Sequence, residues 1–534
     1  MMTFNRPHPD LPPSYYWLLP VVVATLRLIP FLASFWLTAP PESSLLRIGY
    51  MPEDTQAYLS FIRQVPDDGR VFFENRFTTT PQDGRFVLLF HWLVGAVSRA
   101  GDFDPAWVLE LSRVPLTFLF FAALWWFLTP LLAQRRERMW AATLVAFSGG
   151  IDGFLKPLAQ RLPEQVAKPF TVSAWHLYGW NTFESLYNPL WIAGFILMLV
   201  ALRPLLQPVV PRRPVVLGGV ALTVALLWFV HPHSAMVTIA VAATRPVFEW
   251  ALRATVDFRR YVGLALALAV VGIFILAVTS WQMADPVYRD SAGQFFGTLR
   301  LDVFWYPLTL GLVLVQALRG ATIWIRTRRP NGLPILAWIG TVIFLHSAPV
   351  INGYHFVPYL HLPLCVLAAA AMPKVGEHFM SPHLRTKGAA VVLMTALFGS
   401  FAFVTLESVT DVATRNRISL SHEGLIRELA GLPADRALVP PQLGNSVPAF
   451  TPHSVWAGHW ALTRDFWPKV ELYEHLTRDP ARGDELKWLL ESERIRYFVA
   501  PIDRSQRLGT LLSDRVEERR TIGELELFFM KSGH

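Results

Sequence analysis

The run Tyr15-Tyr16-Trp17-Leu18-Leu19-Pro20-Val21-Val22-Val23-Ala24-Thr25-Leu26-Arg27-Leu28-Ile29-Pro30-Phe31-Leu32-Ala33-Ser34-Phe35-Trp36-Leu37 carries one charge, Arg27. About 20 mostly apolar residues cross a bilayer as a helix, so 15–37 reads as a membrane span. Ten further runs read the same way: 106–132, 138–155, 185–205, 214–231, 234–252, 260–281, 301–318, 333–350, 356–372 and 386–407. The whole composition agrees. Of 534 residues, 53% are apolar and only 16% charged, where a soluble protein has about a quarter charged. Mean hydropathy is +0.35. Disorder, a fibrous protein and a simple soluble enzyme are excluded, and the expected fold is an α-helical polytopic membrane protein of about 11 spans.

The stretch 85–100 is shorter and holds His91 and Arg99. Loop charge decides its place, because basic residues stay on the cytoplasmic side. The basic loops are Arg135-Arg136-Glu137-Arg138, Arg212-Arg213, Arg253 to Arg260, Arg319 to Arg329, and Lys374 to Lys387. With eleven spans and a cytoplasmic N-terminus, all of them are cytoplasmic. A span at 85–100 would flip the later ones outward, so 85–100 is read as an interfacial or re-entrant helix. The first span has no strong basic flank or small-residue cleavage site and is read as uncleaved. The outer side then receives a first loop (38–105), a second loop (156–184), the turn His231-Pro232-His233, the loop 282–300, the turn Asn352-Gly353-Tyr354-His355, and the tail.

The chain divides into a transmembrane part, 1–410, and an extracytoplasmic tail, 411–534. In the tail, charged and apolar residues alternate as in a small α/β domain. Ala437 to Val439, Ser454 to Ala457, Arg496 to Ala500 and Leu525 to Met530 read as strands, and 465–476 and 483–493 as helices. There is no fixed-period repeat. The single cysteine, Cys365, excludes a disulfide framework and a cysteine-based zinc site. The net charge of +8 sits in the cytoplasmic loops, and no separate basic fold points to nucleic acid. Arginine dominates the basic residues, as in a GC-rich bacterial genome.

Most outer polar residues lie in the first loop, in Tyr50-Met51-Pro52-Glu53-Asp54-Thr55-Gln56-Ala57-Tyr58-Leu59-Ser60-Phe61-Ile62-Arg63. Pro52 suits the first turn of a helix. Glu53 and Asp54 then stand at its positive end, where carboxylates are stabilised. Tyr58, Phe61 and Ile62 share one face, as in an interfacial helix. Acidity of this kind also occurs at ordinary helix starts.

An outer carboxylate pair followed by an aromatic and an amphipathic helix ending in arginine resembles the GT-C superfamily, the integral-membrane glycosyltransferases that use polyprenyl-phosphate-linked sugars. Arg27 in the first span, Ser112-Arg113-Val114 in the outer part of the second, and the outer tail fit the same pattern. The motif resemblance covers roughly 27–114, and the topology most of the chain. The family order is Asp-Glu and here it is Glu53-Asp54, which leaves both open as the base. The resemblance implies an inverting hexosyl- or pentosyltransferase of mannosyl- or arabinosyltransferase type. Asp54 or Glu53 would take the acceptor proton, and Arg27 and Arg113 would hold the donor phosphate. Its partners would be a polyprenyl-phosphate-sugar and a glycan, lipid or protein acceptor, in the bacterial plasma membrane.

Other outer residues have two readings each. Arg27 is a functional group or a structural pair with another span, since a mid-span charge costs about 3 kcal/mol. His231 and His233 bind donor phosphate or merely flank a proline-centred turn. Trp175, His176 and Trp180, with His355 from its own turn, suit a sugar acceptor, although Trp and Tyr also form the interfacial belt. Asp152 is a rival base. Trp456, His459, Trp460 and Trp467 build the tail's core or help dock an acceptor. No HExxH-type spacing is present and no cofactor is expected, with a divalent metal held by Glu53, Asp54, His231 and His233 as the lesser alternative. GxSxG, Walker A and GxGxxG are absent from suitable contexts. A transporter or flippase is the main alternative, but the halves show no repeat. A non-catalytic scaffold of the same fold is the third reading.

Overall fold

The computed structural model describes residues 14–37, 40–46, 48–49, 51–149, 161, 163, 185–207, 212–253, 258–295, 306–327, 329, 332–348, 353–372, 401–402, 404–414 and 416–531. The bundle helices are α1 (Tyr15–Trp36), α5 (Pro105–Leu128), α6 (Arg135–Phe147), α7 (Pro189–Leu205), α8 (Pro214–Val230), α9 (Pro232–Arg253), α10 (Arg259–Met283), α12 (Tyr306–Arg326), α13 (Gly332–Ser347) and α14 (Pro358–Ala369). Each covers one of the runs expected to span. The last expected span, 386–407, lies mostly outside the described residues.

Three of these helices are long and apolar enough to cross a membrane: Tyr15–Trp36, Pro105–Leu128 and Tyr261–Met283. Four shorter apolar helices pack with them. Leu266, Val270, Ile273 and Leu276 of α10 are more than 60% exposed, which suits a face turned to lipid. One boundary differs from expectation. Arg319, placed in a loop by its charge, lies inside α12, and helix continues to Arg326. The loop reading weighed charge above the apolar Ala321, Ile323, Trp324 and Ile325, which carry the helical pattern onward.

Short elements cap one end of the bundle: β1 (Ser43–Leu45), α2 (Pro52–Ile62), α3 (Gln64–Asp68), α4 (Leu89–Gly101) and α11 (Pro286–Phe295). The stretch 85–100 is thus a short helix of the cap, packed on α2 and α3. At the opposite end, Arg329 grips Glu137 (2.8 and 2.9 Å), Arg203 covers Trp126 and the Arg245 guanidinium bonds the Leu205 carbonyl. Several basic clusters therefore share the end away from the tail.

The tail begins after a helical stretch at 404–414. It contains β2 (Arg417–Ser419), α15 (Leu420–Ala430), β3 (Arg436–Leu438), α16 (Ser446–Phe450), β4 (Ser454–Val455), α17 (Phe466–Arg478), α18 (Gly483–Ser492), β5 (Tyr497–Pro501), α19 (Ile502–Leu511), β6 (Val516–Ile522) and β7 (Leu525–Met530). Five strands form one sheet in the order β4-β3-β5-β7-β6. The strands β4, β3 and β5 run parallel, and β7 is antiparallel to both its neighbours.

Side chains alternate across a strand, so β7 feeds two cores. Phe528 and Met530 pack under α17, α18 and α19 with Phe498, Tyr473 and Leu508. Leu525, Leu527 and Phe529 face the other way and join Ala57, Phe61, Val65, Phe73, Phe77 and Phe86 of the first loop. Val287 of α11 enters the same cluster. Strand β1 pairs antiparallel with β2. Loop and tail are therefore one body around one apolar core. Tail contacts at Asn75 Nδ2 to the Leu462 carbonyl (2.6 Å) and Arg464 to Asp290 (3.3 Å) complete it.

Phe77 is fully buried at this junction. Phe77→Ala is expected to cost about 3–5 kcal/mol. Limited proteolysis should then release the tail while the helix bundle stays resistant; a tail as resistant as in the parent protein would contradict the shared core.

Candidate active site

The segment before the carboxylate pair is clamped from both sides. Leu46 N–H donates to the Asn416 carbonyl (2.7 Å), and Asn416 Nδ2 donates to the Ile48 carbonyl. Gly49 N–H donates to Glu110 Oε1 (3.1 Å). Glu110 is fully buried and paired with Arg113. Arg113 Nε donates to the Tyr187 carbonyl (2.6 Å). A Cβ on Gly49 would stand 2.9 Å from Phe31 Cβ and 2.9 Å from Glu110 Oε2, so only glycine fits that approach.

Met51 follows with φ 41°, a left-handed backbone rare for a side-chain residue and further restricted before proline. It turns the chain into α2, with Pro52 at the first position and Glu53 and Asp54 in the first turn. Strain of this kind clusters at functional sites. Both carboxylates reach solvent. Glu53 is exposed, and the Asp54 side chain is 43% exposed.

Three groups face Asp54. Tyr58 lies one turn along α2, and Asn188 Nδ2 donates to its hydroxyl (3.0 Å). Burial and the Asp54 charge push the Tyr58 pKa up, so the phenol keeps its proton. His355 is a second neighbour, felt electrostatically; burial pushes its pKa down to about 4 against a smaller upward pull from Asp54. The third is His459 from the tail, with Nε2 3.7 Å from Asp54 Oδ1.

The histidines expected to bind phosphate form a continuous row with His355. The His355 and His233 ring centroids are 4.5 Å apart, and those of His233 and His231 5.8 Å. His231 Nδ1 contacts Ser234 Oγ (2.8 Å) and Tyr359 OH (3.0 Å). Two turns that are distant in sequence thus meet beside α2. Arg27 is fully buried, with its guanidinium 6.0 Å from the Tyr187 ring. Arg27 and Arg113 therefore flank the same tyrosine, behind the clamp at Gly49. Arg113 spends its guanidinium on Glu110 and Tyr187. Among the described residues, no group of three or more His, Cys, Asp or Glu is placed to hold a metal ion.

Trp175, His176, Trp180 and Asp152 lie outside the described residues. In the tail, Trp456 is core, at 3% exposure, as expected. Trp460 and Trp467 are 53% and 68% exposed, so the core reading fails for them. Periodicity treats an indole as apolar, but these two fall in the turn region before α17 and at its first residues.

Sequence reasoning gave no chemistry to Tyr58, Asn188 or Glu110, and offered His459 only as a core or acceptor-docking residue. Glu110 carried a usable signal. An acid three residues before an arginine within a span calls for a mutual pair.

No family model matches the chain, and no curated protein does. Solved structures do. The Archaeoglobus fulgidus oligosaccharyltransferase in the apo form superposes over 92% of this chain and 70% of its own, with TM-score 0.57 at 10% identity. ArnT from Cupriavidus metallidurans, bound to undecaprenyl phosphate, is covered over 98% of this chain and 99% of its own, with TM-score 0.55 at 14% identity. The mycobacterial arabinofuranosyltransferase AftD is covered over 98% of this chain and 42% of its own, with TM-score 0.50 at 15% identity. The chain has the GT-C fold, as the first loop implied.

Two outcomes follow from the clamp and the buried rings. Gly49→Ala must push Phe31 or Glu110 aside and should lower stability by about 1–3 kcal/mol, seen as a fall in the detergent-solubilised melting temperature. His91 of α4 is buried against Tyr58 and Phe61, and burial pushes its pKa down to about 3. His91 and His355 are neutral when folded, yet take protons near pH 6.5 when unfolded. The unfolded chain thus binds more protons below pH 6.5, and stability is lost as pH falls from 6.5 towards 4. Melting temperature against pH should show that slope, and His91→Phe should flatten it.

Proposed function

We propose that this chain is a membrane glycosyltransferase. It moves a hexosyl or pentosyl group from a polyprenyl-phosphate-linked donor to an acceptor hydroxyl, with inversion. The observation that carries the reading is Asp54. It is a half-exposed carboxylate at a helix start, faced by Tyr58, His355 and His459, in a fold shared with glycosyltransferases. The solved ArnT relative binds undecaprenyl phosphate, which supports a lipid-phosphate donor here.

Asp54 takes the proton from the acceptor hydroxyl as its oxygen attacks the anomeric carbon. The bond from that carbon to the phosphate oxygen breaks, and polyprenyl phosphate leaves with the electron pair. One displacement inverts the anomeric centre. Phosphate is a good leaving group and needs positive charge or N–H donors in place of an acid. Arg27 and the row of His231 and His233 supply them, while Arg113, expected to share that role, is held by Glu110 and Tyr187 and supports the segment leading to Asp54. Glu53 stands beside Asp54 as the alternative base. Trp175, His176 and Trp180, with His355, take the acceptor sugar.

By the positive-inside rule, the basic ends of the bundle lie in the cytoplasm and the tail lies outside the bacterial plasma membrane. The reaction then occurs on the outer face.

The test uses the full chain in nanodiscs with synthetic short-chain polyprenyl phosphates carrying mannose, arabinofuranose or glucose, and a bacterial envelope lipid and glycan extract as acceptor. The readout is release of polyprenyl phosphate. Asp54→Asn should lower it about 10²- to 10⁴-fold, with Glu53→Gln milder. If both variants release phosphate as fast as the parent, the base assignment is wrong, and a transporter or scaffold takes its place.

A further inference from the structure

His459 belongs to the tail, 405 residues from Asp54 in sequence, and is 4% exposed. Its two ring nitrogens have different surroundings. Ala461 N–H donates to Nδ1 (3.2 Å), so Nδ1 is an acceptor. A neutral imidazole then carries its proton on Nε2. That Nε2 is buried, makes no hydrogen bond and lies 3.7 Å from Asp54 Oδ1. The gap exceeds hydrogen-bond length, and contacts of this kind tighten once substrate is bound.

Aromatic side chains flank the ring. Trp460 stacks on one side of it (5.8 Å between centroids, 26° between planes), and Phe77 lies 5.9 Å off. Gly458 N–H donates to Thr463 Oγ1 (3.0 Å), whose hydroxyl donates to the Phe77 carbonyl (2.7 Å). A Cβ on Gly458 would stand 2.6 Å from Phe77 Cδ1 and 2.7 Å from the Gly444 carbonyl. The turn bearing His459 is thus locked to the first loop, which also carries Asp54.

We propose that His459 is a positioning residue. Its Nε2–H is supplied by the tail to hold the Asp54 carboxylate towards the acceptor hydroxyl, and the tail thereby completes the active site. The inference rests on the reading of Asp54 as base. It makes the tail part of the catalytic machinery. A histidine held in one tautomer by a backbone group is a common way to orient a partner.

The test compares His459→Ala, His459→Gln and Asp54→Asn in the full chain. The first readout is polyprenyl phosphate release from the same three synthetic donors with the same acceptor extract. His459→Ala should lower kcat about 10- to 100-fold and leave the donor KM unchanged. His459→Gln, whose amide restores an N–H donor, should recover most of the rate. In the Asp54→Asn background, His459→Ala should add nothing. The second readout needs no turnover. Water-soluble carbodiimide modification of Asp54 at pH 6, read by mass spectrometry with Glu53 as internal reference, should be about threefold faster in His459→Ala. Parent-like rates for both release and modification would overturn the inference. Asp54→Asn inactive with His459→Ala unaffected sinks the positioning role alone, whereas an active Asp54→Asn sinks the base assignment beneath it.

Discussion

The buried pair of Glu110 and Arg113 governs the geometry of the candidate site. Inside an apolar bundle a lone charge is costly, and a pair is tolerated only when its hydrogen bonds are satisfied. Here the remaining capacity is used structurally. Glu110 accepts the Gly49 N–H, and Arg113 holds the Tyr187 carbonyl. One ion pair thus joins α5, the entry to α7 and the segment leading into α2. The position of Asp54 is set from this anchor, through the left-handed Met51 and the rigid Pro52.

The anchor has a counterpart in the tail. The tail sheet gives one face to α17, α18 and α19, and the other to α15, α16 and the phenylalanines of the first loop. On a free-standing domain that second face would be covered only in part, by α15 and α16. Against the loop it becomes a core, and it fixes where the turn at 458–463 meets α2. The carboxylate and the imidazole are therefore placed by two supports, linked through Asn416 and the shared core.

Much of this architecture was legible in the sequence because membrane helices write themselves in long apolar runs. Ten expected spans correspond to described helices. The strands at 497–501 and 525–530 were also visible, as short apolar runs. The edge strand β6 was not, because Glu517 to Arg520 is almost wholly charged and exposed. The carboxylate pair was found because it sits in one local motif. The meeting of Asp54 with His355 and His459 was not, since it depends on tertiary packing between segments hundreds of residues apart. Local pattern cannot tell a buried histidine in a turn from one aimed at a carboxylate. The partner of Arg113, three residues away, was legible by its spacing but missed, because the arginine was weighed alone.

The shared core also bears on how the protein is made. The apolar face of the first loop, with Phe61, Phe73, Phe77 and Phe86, emerges early from the ribosome, whereas its covering strands come last. Phe86 and Tyr497 stand 411 residues apart (497 − 86), which at about 5–20 residues per second is on the order of 20–80 s. During that interval the loop has no tail to pack against. Assembly of the catalytic face is thus the final event of biogenesis, and a chain truncated before residue 497 would carry every base-bearing residue yet lack the strands β5 and β7 that complete the core.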